Sequence, residues 1–234
     1  MLNNQLSLSK KSIEEGIVIL INKEKNWTSF DVVKKIKNLI KTKFDLKKIK
    51  VGHAGTLDPL ATGLLIICTG KMTKRIDEFS GLNKTYTGKI TIGSTTPSYD
   101  LETKPNMNYP IDHISENLII ETAKKFVGKI NQKPPVFSAV KKDGVRLYKL
   151  ARKGVKVEVE KREIIIHDFL ISSINFPEVE FSLTCSKGTY IRSLAHDFGK
   201  ELGSGAHLSE LRRTSIGDYS VDKSTKLMEF IRNI

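Results

Sequence analysis

The stretch Val51–Gly63, "VGHAGTLDPLATG", sets one carboxylate, Asp58, among small and apolar residues directly before a proline. Pro59 biases Asp58 toward extended backbone, and Gly55 opens conformations closed to other residues, so a loop presents the carboxylate. No second acid stands near it in sequence and no cluster of metal-ligating residues surrounds it, which leaves paired-carboxylate glycosidase chemistry poorly supported. A lone positioned carboxylate beside basic residues suits a nucleophile. The same residues also fit an ordinary Asp-Pro turn, and on the loop alone both readings stay open.

The neighbouring elements have to hold this loop. "GIVILINK" (Gly16–Lys23) is a continuously apolar, β-branched run, the pattern of a buried strand. Thr28 and Asp31 form a capping box ahead of Val32, Val33, Ile36, Leu39 and Ile40, which share one helical face. Lys34, Lys35, Lys37 and Lys41 fall off that face. With Lys43, Lys47, Lys48 and Lys50 they form a basic surface leading into the Asp58 loop, either a solvated helix face or a phosphate contact.

Past the loop, "GLLIICTGKMTK" reads as strand then turn. In "KTYTGKITIGSTT" a period of two puts Tyr86, Gly88, Ile90 and Ile92 on one side of a strand. The spacing of Leu118, Ile119, Thr122, Ala123, Phe126 and Val127 predicts a helix over 115–128, closed by Gly128. A long excursion from about 132 to 155, with a proline pair and a "KDG" turn, rejoins the sheet through Val155, Val157 and Val159. Val179, Phe181, Leu183 and Cys185 alternate as a strand. A glycine turn and a helix follow, with Arg192 in its first turn and Gly203 at its end. Strands and helices without regular βα alternation give an α+β class with a central mixed, largely antiparallel sheet.

The 234 residues are 39% hydrophobic and 28% charged, a globular composition with no apolar run of membrane-spanning length. The formal charge of +13 suits a phosphate-rich partner, although a lysine-favouring genome also produces it. The N-terminus lacks the layout of a secretory signal, so a cytoplasmic protein is expected. Cys68 and Cys185 lie in apolar strand-like runs and read as small buried hydrophobes rather than metal ligands.

"GHAGTLDPLATG", "KTY" at Lys84–Tyr86, "QKPPVFSAVKKDGVRLYKLAR" and "CSKGTYIRSLAHDFG" followed by "GAHLSELRRTSIG" resemble, in family order, the tRNA pseudouridine-55 synthases of TruB type. The resemblance runs from about Gly16 to Val221. It implies isomerisation of a T-loop uridine to pseudouridine, with no cofactor and no metal. Asp58 matches the catalytic aspartate, which attacks either C1′ of the ribose or C6 of the uracil. Arg192 matches the arginine that pairs with it, and Tyr86 the tyrosine that stacks on the flipped uracil. Tyr190 matches a second pocket tyrosine and Leu211 an apolar wall of the base site. His53 matches the histidine that enters the space left by the extruded bases, and Lys84 belongs with Tyr86 at the substrate.

Two departures stand out. Where the family has Lys-Pro-x-Gly-x-Thr-Ser, this chain reads Lys23-Glu24-Lys25-Asn26-Trp27-Thr28-Ser29, without the proline and the glycine. Asp100 matches a family aspartate, but a glycine usual shortly after it is Thr103.

The expectation is therefore a single pseudouridine synthase catalytic domain over 1–234, without a C-terminal PUA domain, acting as a monomer on the T-arm of tRNA through RNA shape. Lys34–Lys50 and Lys141–Arg152 are the candidate backbone contacts. Two rivals stand beside it: a non-catalytic RNA-binding protein that helps tRNA fold, and a guide-RNA-dependent pseudouridylase subunit.

Overall fold

The computed structural model describes residues 8–138, 140–142, 144–155 and 157–234. Ala139, Asp143 and Lys156, parts of the excursion, lie outside the described residues, as do the side chains of Lys141 and Lys142. The chain divides into two compact units, one made of residues up to Tyr86 together with Arg212–Ile234, the other of Thr87–Leu211. The division falls inside two strands, Lys84–Ile92 and Ala206–Ile216.

In the first unit the strand Thr62–Thr69 is central. It pairs antiparallel with Val18–Lys23 and with Val51–Ala54, and parallel with Arg212 and Arg213. Its alternate residues feed two cores. Leu65 and Ile67 join Ile19, Ile21 and the Val32, Val33, Ile36, Ile40 face of the helix Ser29–Lys43. Leu64, Ile66 and Cys68 join Ala54, Phe79 and Ile216 on the opposite side. Each fully buried aliphatic side chain contributes about 1.5–3 kcal/mol relative to exposure, so this double-faced strand is the rigid axis of the unit. The helix carries the expected capping box between Thr28 and Asp31.

In the second unit the long strand Arg162–Asn175 pairs antiparallel with Glu178–Cys185 on one side and with Gly128–Gln132 on the other. Val179, Phe181, Leu183 and Cys185 are buried in the expected alternation. Phe169 meets Phe126, Phe181 and Phe198 through ring contacts at 5.6–6.4 Å, which seats the helices Glu116–Lys125 and Ile191–Glu201 on this sheet. Parallel and antiparallel pairings together make the fold α+β with a mixed, largely antiparallel sheet.

Four local readings change. Val155, Val157 and Val159 lie outside any strand, and the excursion rejoins the sheet at Arg162; valines alternating with lysine and glutamate carry β-propensity, but among the described residues no strand pairs with them. The helix expected to close at Gly128 stops at Lys125, and Gly128, at φ 108°, opens the next strand instead. The turn after Thr69 is a 3-10 segment, Gly70–Arg75, leading into the helix Ile76–Gly81. The sequence reading also passed over the short helices Lys10–Glu15 and Leu227–Asn233, each under two turns and therefore without a periodic signal. Among the described residues no helix is long and apolar enough to cross a membrane.

Candidate active site

In the first unit, four side chains or backbone groups hold the Asp58 loop. Ser29 is 2% exposed, and its Oγ accepts from the Leu57 amide at 2.9 Å and donates to the Leu57 carbonyl at 3.2 Å. The Asn26 amide donates to the Pro59 carbonyl at 2.8 Å. Arg213, 1% exposed, donates from Nε to the Leu64 carbonyl at 2.8 Å and from Nη2 to the Gly55 carbonyl at 2.9 Å, which ties both ends of the loop to one guanidinium. Lys23 has no exposed surface and donates from Nζ to the carbonyls of Trp27, Glu24 and Pro59 at 2.7, 3.1 and 3.4 Å. Asp58 itself is half-buried, and the Ala61 amide closes a turn onto its carbonyl at 3.1 Å.

Two positions make this packing possible. Gly63 has φ 103°, and a Cβ there would come within 2.2 Å of the Arg213 carbonyl oxygen. Asn26 stands at φ 69°, the left-handed region. It occupies the place of the glycine missing from the family turn, and asparagine is the side chain that tolerates this conformation best after glycine, so the turn is retained.

Burial lowers the Lys23 ammonium to about 8, with the Asp58 charge opposing that fall and the Arg213 charge adding to it. His53 sits on the strand Val51–Ala54 opposite Ile67, where burial and then the Arg213 charge push its imidazole below the ordinary value. Its Nδ1 is buried without a hydrogen-bond partner among the described residues. Lys84 and Tyr86 are both buried and, two residues apart on one strand, share a face. Lys84 donates from Nζ to the carbonyls of Ser80 and Leu82 where the helix Ile76–Gly81 ends, and its Cε borders Gly55. Its ammonium therefore anchors a helix end beside the loop.

In the second unit Arg192 is 4% exposed in the first turn of the helix Ile191–Glu201. Nη1 donates to the Ser98 carbonyl at 3.1 Å, Nη2 to the Phe137 carbonyl at 3.0 Å, and Nε lies 3.6 Å from the buried Asp100 carboxylate. Tyr190 caps the same helix, with its amide and carbonyl clasped by the Gln132 side chain at 2.8 and 3.0 Å. Ser193 Oγ donates to the Lys133 carbonyl at 2.8 Å, so the start of the excursion is fastened to the arginine-bearing helix. Leu211 is half-buried on the strand Ala206–Ile216.

The 98–100 segment that faces Arg192 has its own support. Tyr99 stands at φ 64°, strained for an aromatic residue, and stacks on His196 at 3.9 Å and 11°. Burial lowers His196 to about 4, so this ring is a neutral surface for the stack. His196 is four residues past Arg192 on the same helix and lies on the same face. Thr103, the second departure, bonds Ser98 through its Oγ1, accepting from the Ser98 amide at 3.0 Å.

The structure thus groups His53, Asp58, Lys84 and Tyr86 in one unit, and Tyr190, Arg192 and Leu211 in the other. Sequence reading missed Lys23, Ser29 and Arg213. One signal was available: alternation puts Lys23 in phase with the buried Ile19 and Ile21. Among the described residues no group of three or more His, Cys, Asp and Glu side chains is placed to hold a metal ion.

Residues 37–191 match the family model of the TruB family pseudouridylate synthase N-terminal domain, and residues 192–233 match that of the tRNA pseudouridylate synthase B C-terminal domain. The chain belongs to the TruB family of pseudouridylate synthases. It is 58% identical to a tRNA pseudouridine synthase B of Flavobacterium johnsoniae over 92% of this chain and 95% of that one. With the corresponding protein of Phocaeicola vulgatus it shares 50% identity over 94% of this chain and 93% of that one. Among solved structures, a Cbf5-Nop10-Gar1 complex contains a chain of TM-score 0.70 and 29% identity, matching 94% of this chain and 54% of its own length. This chain therefore spans about half of that neighbour.

Proposed function

We propose that this chain is a tRNA pseudouridine synthase that isomerises uridine-55 of the T-loop, with Asp58 as nucleophile. The observation that carries the reading is the held Asp58 loop, a carboxylate fixed by Ser29, Lys23 and Arg213 in a chain whose full-length relatives are named tRNA pseudouridine synthase B. The reaction breaks the bond between N1 of uracil and C1′ and forms one between C5 and C1′; C5 loses a proton and N1 gains one, so substrate and product are isomers. The target nucleotide is flipped out of the loop to reach the carboxylate. Tyr86 and Tyr190 stack on or border the base, Leu211 walls it, and His53 fills the space it leaves. Arg192 supplies the positive charge that favours an ionised carboxylate. Lys84, beside the loop, completes the substrate side.

The same reading makes the protein a cytoplasmic monomer with a single catalytic domain over 1–234, working without metal or cofactor on the T-arm. A second reading, a subunit that needs a guide RNA and partner proteins, draws on the likeness to the Cbf5-Nop10-Gar1 complex. One experiment separates them: purified protein alone is incubated with an unmodified tRNA transcript and pseudouridine is mapped at single-nucleotide resolution. Conversion at position 55 is expected, and Asp58→Asn should lower it by several orders of magnitude while tRNA affinity holds. No conversion without added RNA or protein would favour the second reading.

A further inference from the structure

The first unit carries a cleft of about 700 Å³ whose lining is dominated by lysine. Three segments converge on it: Lys37 and Lys41 from the helix Ser29–Lys43, Lys47, Lys48 and Lys50 from the loop after it, and Lys71 and Lys74 from the 3-10 segment Gly70–Arg75. Lys34 and Lys35, part of the basic run in the sequence, do not line it, whereas Lys71 and Lys74, far off in sequence, do. Glu14 is the one carboxylate in the lining. The lysine ion pairs formed among the described residues involve other lysines, so little nearby offsets this charge. Packing like charges together costs stability, and the fold does not need them there, because the helix buries its opposite face.

The cleft extends away from Asp58. The strand Thr62–Thr69 begins where the Asp58 loop ends and finishes next to Gly70, which lines the cleft. At about 3.3 Å per residue this strand sets the Gly70 wall of the cleft roughly 25 Å from the end of the loop, while the near edge of the cleft, at Lys37, stands about 12 Å along the helix axis from Ser29, which holds the loop. The cleft is also not built as a small-anion pocket, since the Gly70 amide in its wall is already spent on the Lys50 carbonyl at 2.9 Å. Long, flexible point charges spread along a trough suit successive phosphates read without sequence.

We propose that this cleft is a second phosphate-binding site, which holds the sugar–phosphate backbone of an RNA segment outside the stem-loop that carries the target uridine. The inference rests on the tRNA reading above and extends the footprint beyond the T-arm.

The test compares the wild type with a triple variant taking one lysine from each segment, Lys41→Gln, Lys48→Gln and Lys74→Gln. A control of equal charge change elsewhere is Lys200→Gln, Lys223→Gln and Lys226→Gln. Dissociation constants for unmodified full-length tRNA and for its isolated T stem-loop are measured across 50–200 mM KCl, with single-turnover conversion at saturating RNA. The cleft variant should flatten the plot of log affinity against log salt for full tRNA by about two to three, at most about one for each phosphate that is no longer neutralised. Its slope on the stem-loop should change by less than about one, and its saturated rate should stay within about twofold of wild type. An equal loss on the stem-loop, or equal flattening by the control, overturns the proposal. Failure of the wild type to convert tRNA at all would instead strike the functional reading, and it is seen in the rate rather than in the slopes.

Discussion

Replacing Lys23 with methionine tests how the Asp58 loop is held, and pH provides the sharpest readout. In the unfolded chain this lysine titrates near its ordinary 10.5, whereas burial, partly opposed by the Asp58 charge and reinforced by Arg213, brings it to about 8 in the fold. Between those values the unfolded state binds a proton that the folded state does not, so stability rises with pH across that window. The penalty on folding is present in full below pH 8 and fades as pH approaches 10.5. At 1.36 kcal/mol per pH unit the gap corresponds to about 3 kcal/mol. The hydrogen bonds to the Trp27, Glu24 and Pro59 carbonyls act in the opposite direction, each contributing about 1.5–3 kcal/mol for a charged donor. At neutral pH the three bonds together, about 4.5–9 kcal/mol, outweigh that penalty, so the variant's stability there reports the bonds and says little about the burial. The difference between wild type and Lys23→Met discriminates well: unfolding free energies from urea titrations at pH 7 to 10.5 should diverge in favour of the wild type by about 3 kcal/mol, because methionine does not titrate. A difference that stays flat within about 0.5 kcal/mol would show that Lys23 is not held in a desolvated site, and the account of the loop would fail.

Ser29→Ala should cost about 1–3 kcal/mol in unfolding free energy, because both polar groups of Leu57 lose their buried partner, and the looser loop should lower single-turnover conversion by up to about a hundredfold. Unchanged conversion in a well-folded Ser29→Ala protein would detach this contact from function. His196→Ala removes the ring stacked on strained Tyr99 and should slow conversion severalfold with tRNA affinity held, while His196→Phe should restore it, since a neutral flat ring is what the stack requires. The wild type should also lose stability relative to His196→Phe as pH falls from 6.5 to about 4, because the unfolded state takes up the proton first; thermal melts across that range check the sign.

The residues expected to meet substrate came from the resemblance of their motifs, "GHAGTLDPLATG", "KTY" and "GTYIR", to the TruB type, since an aspartate before a proline or a tyrosine in phase with isoleucines leaves its role open. The class was readable, since Val179 to Cys185 and the Val32 to Ile40 face follow strand and helix periods without interruption. Short elements were not readable, and neither was the end of the excursion, where Val155 and Val159 look strand-like but the neighbouring strand first meets the chain at Arg162.

The least legible feature was the set of residues that hold the others. Lys23 and Arg213 both donate to backbone carbonyls, of Trp27, Glu24 and Pro59, and of Gly55 and Leu64. A carbonyl accepts equally well whatever side chain its residue carries, so such an anchor needs no matching residue type and leaves no pairwise trace in the chain. The same indifference explains how the family turn survives with neither its proline nor its glycine. Lys23 needs only the carbonyls of Glu24 and Trp27 at the right distance, and Asn26, at φ 69°, bends the backbone to deliver them. The constraint at this turn is on backbone shape, with residue identity restricted only where φ turns positive and where the ammonium itself must stand.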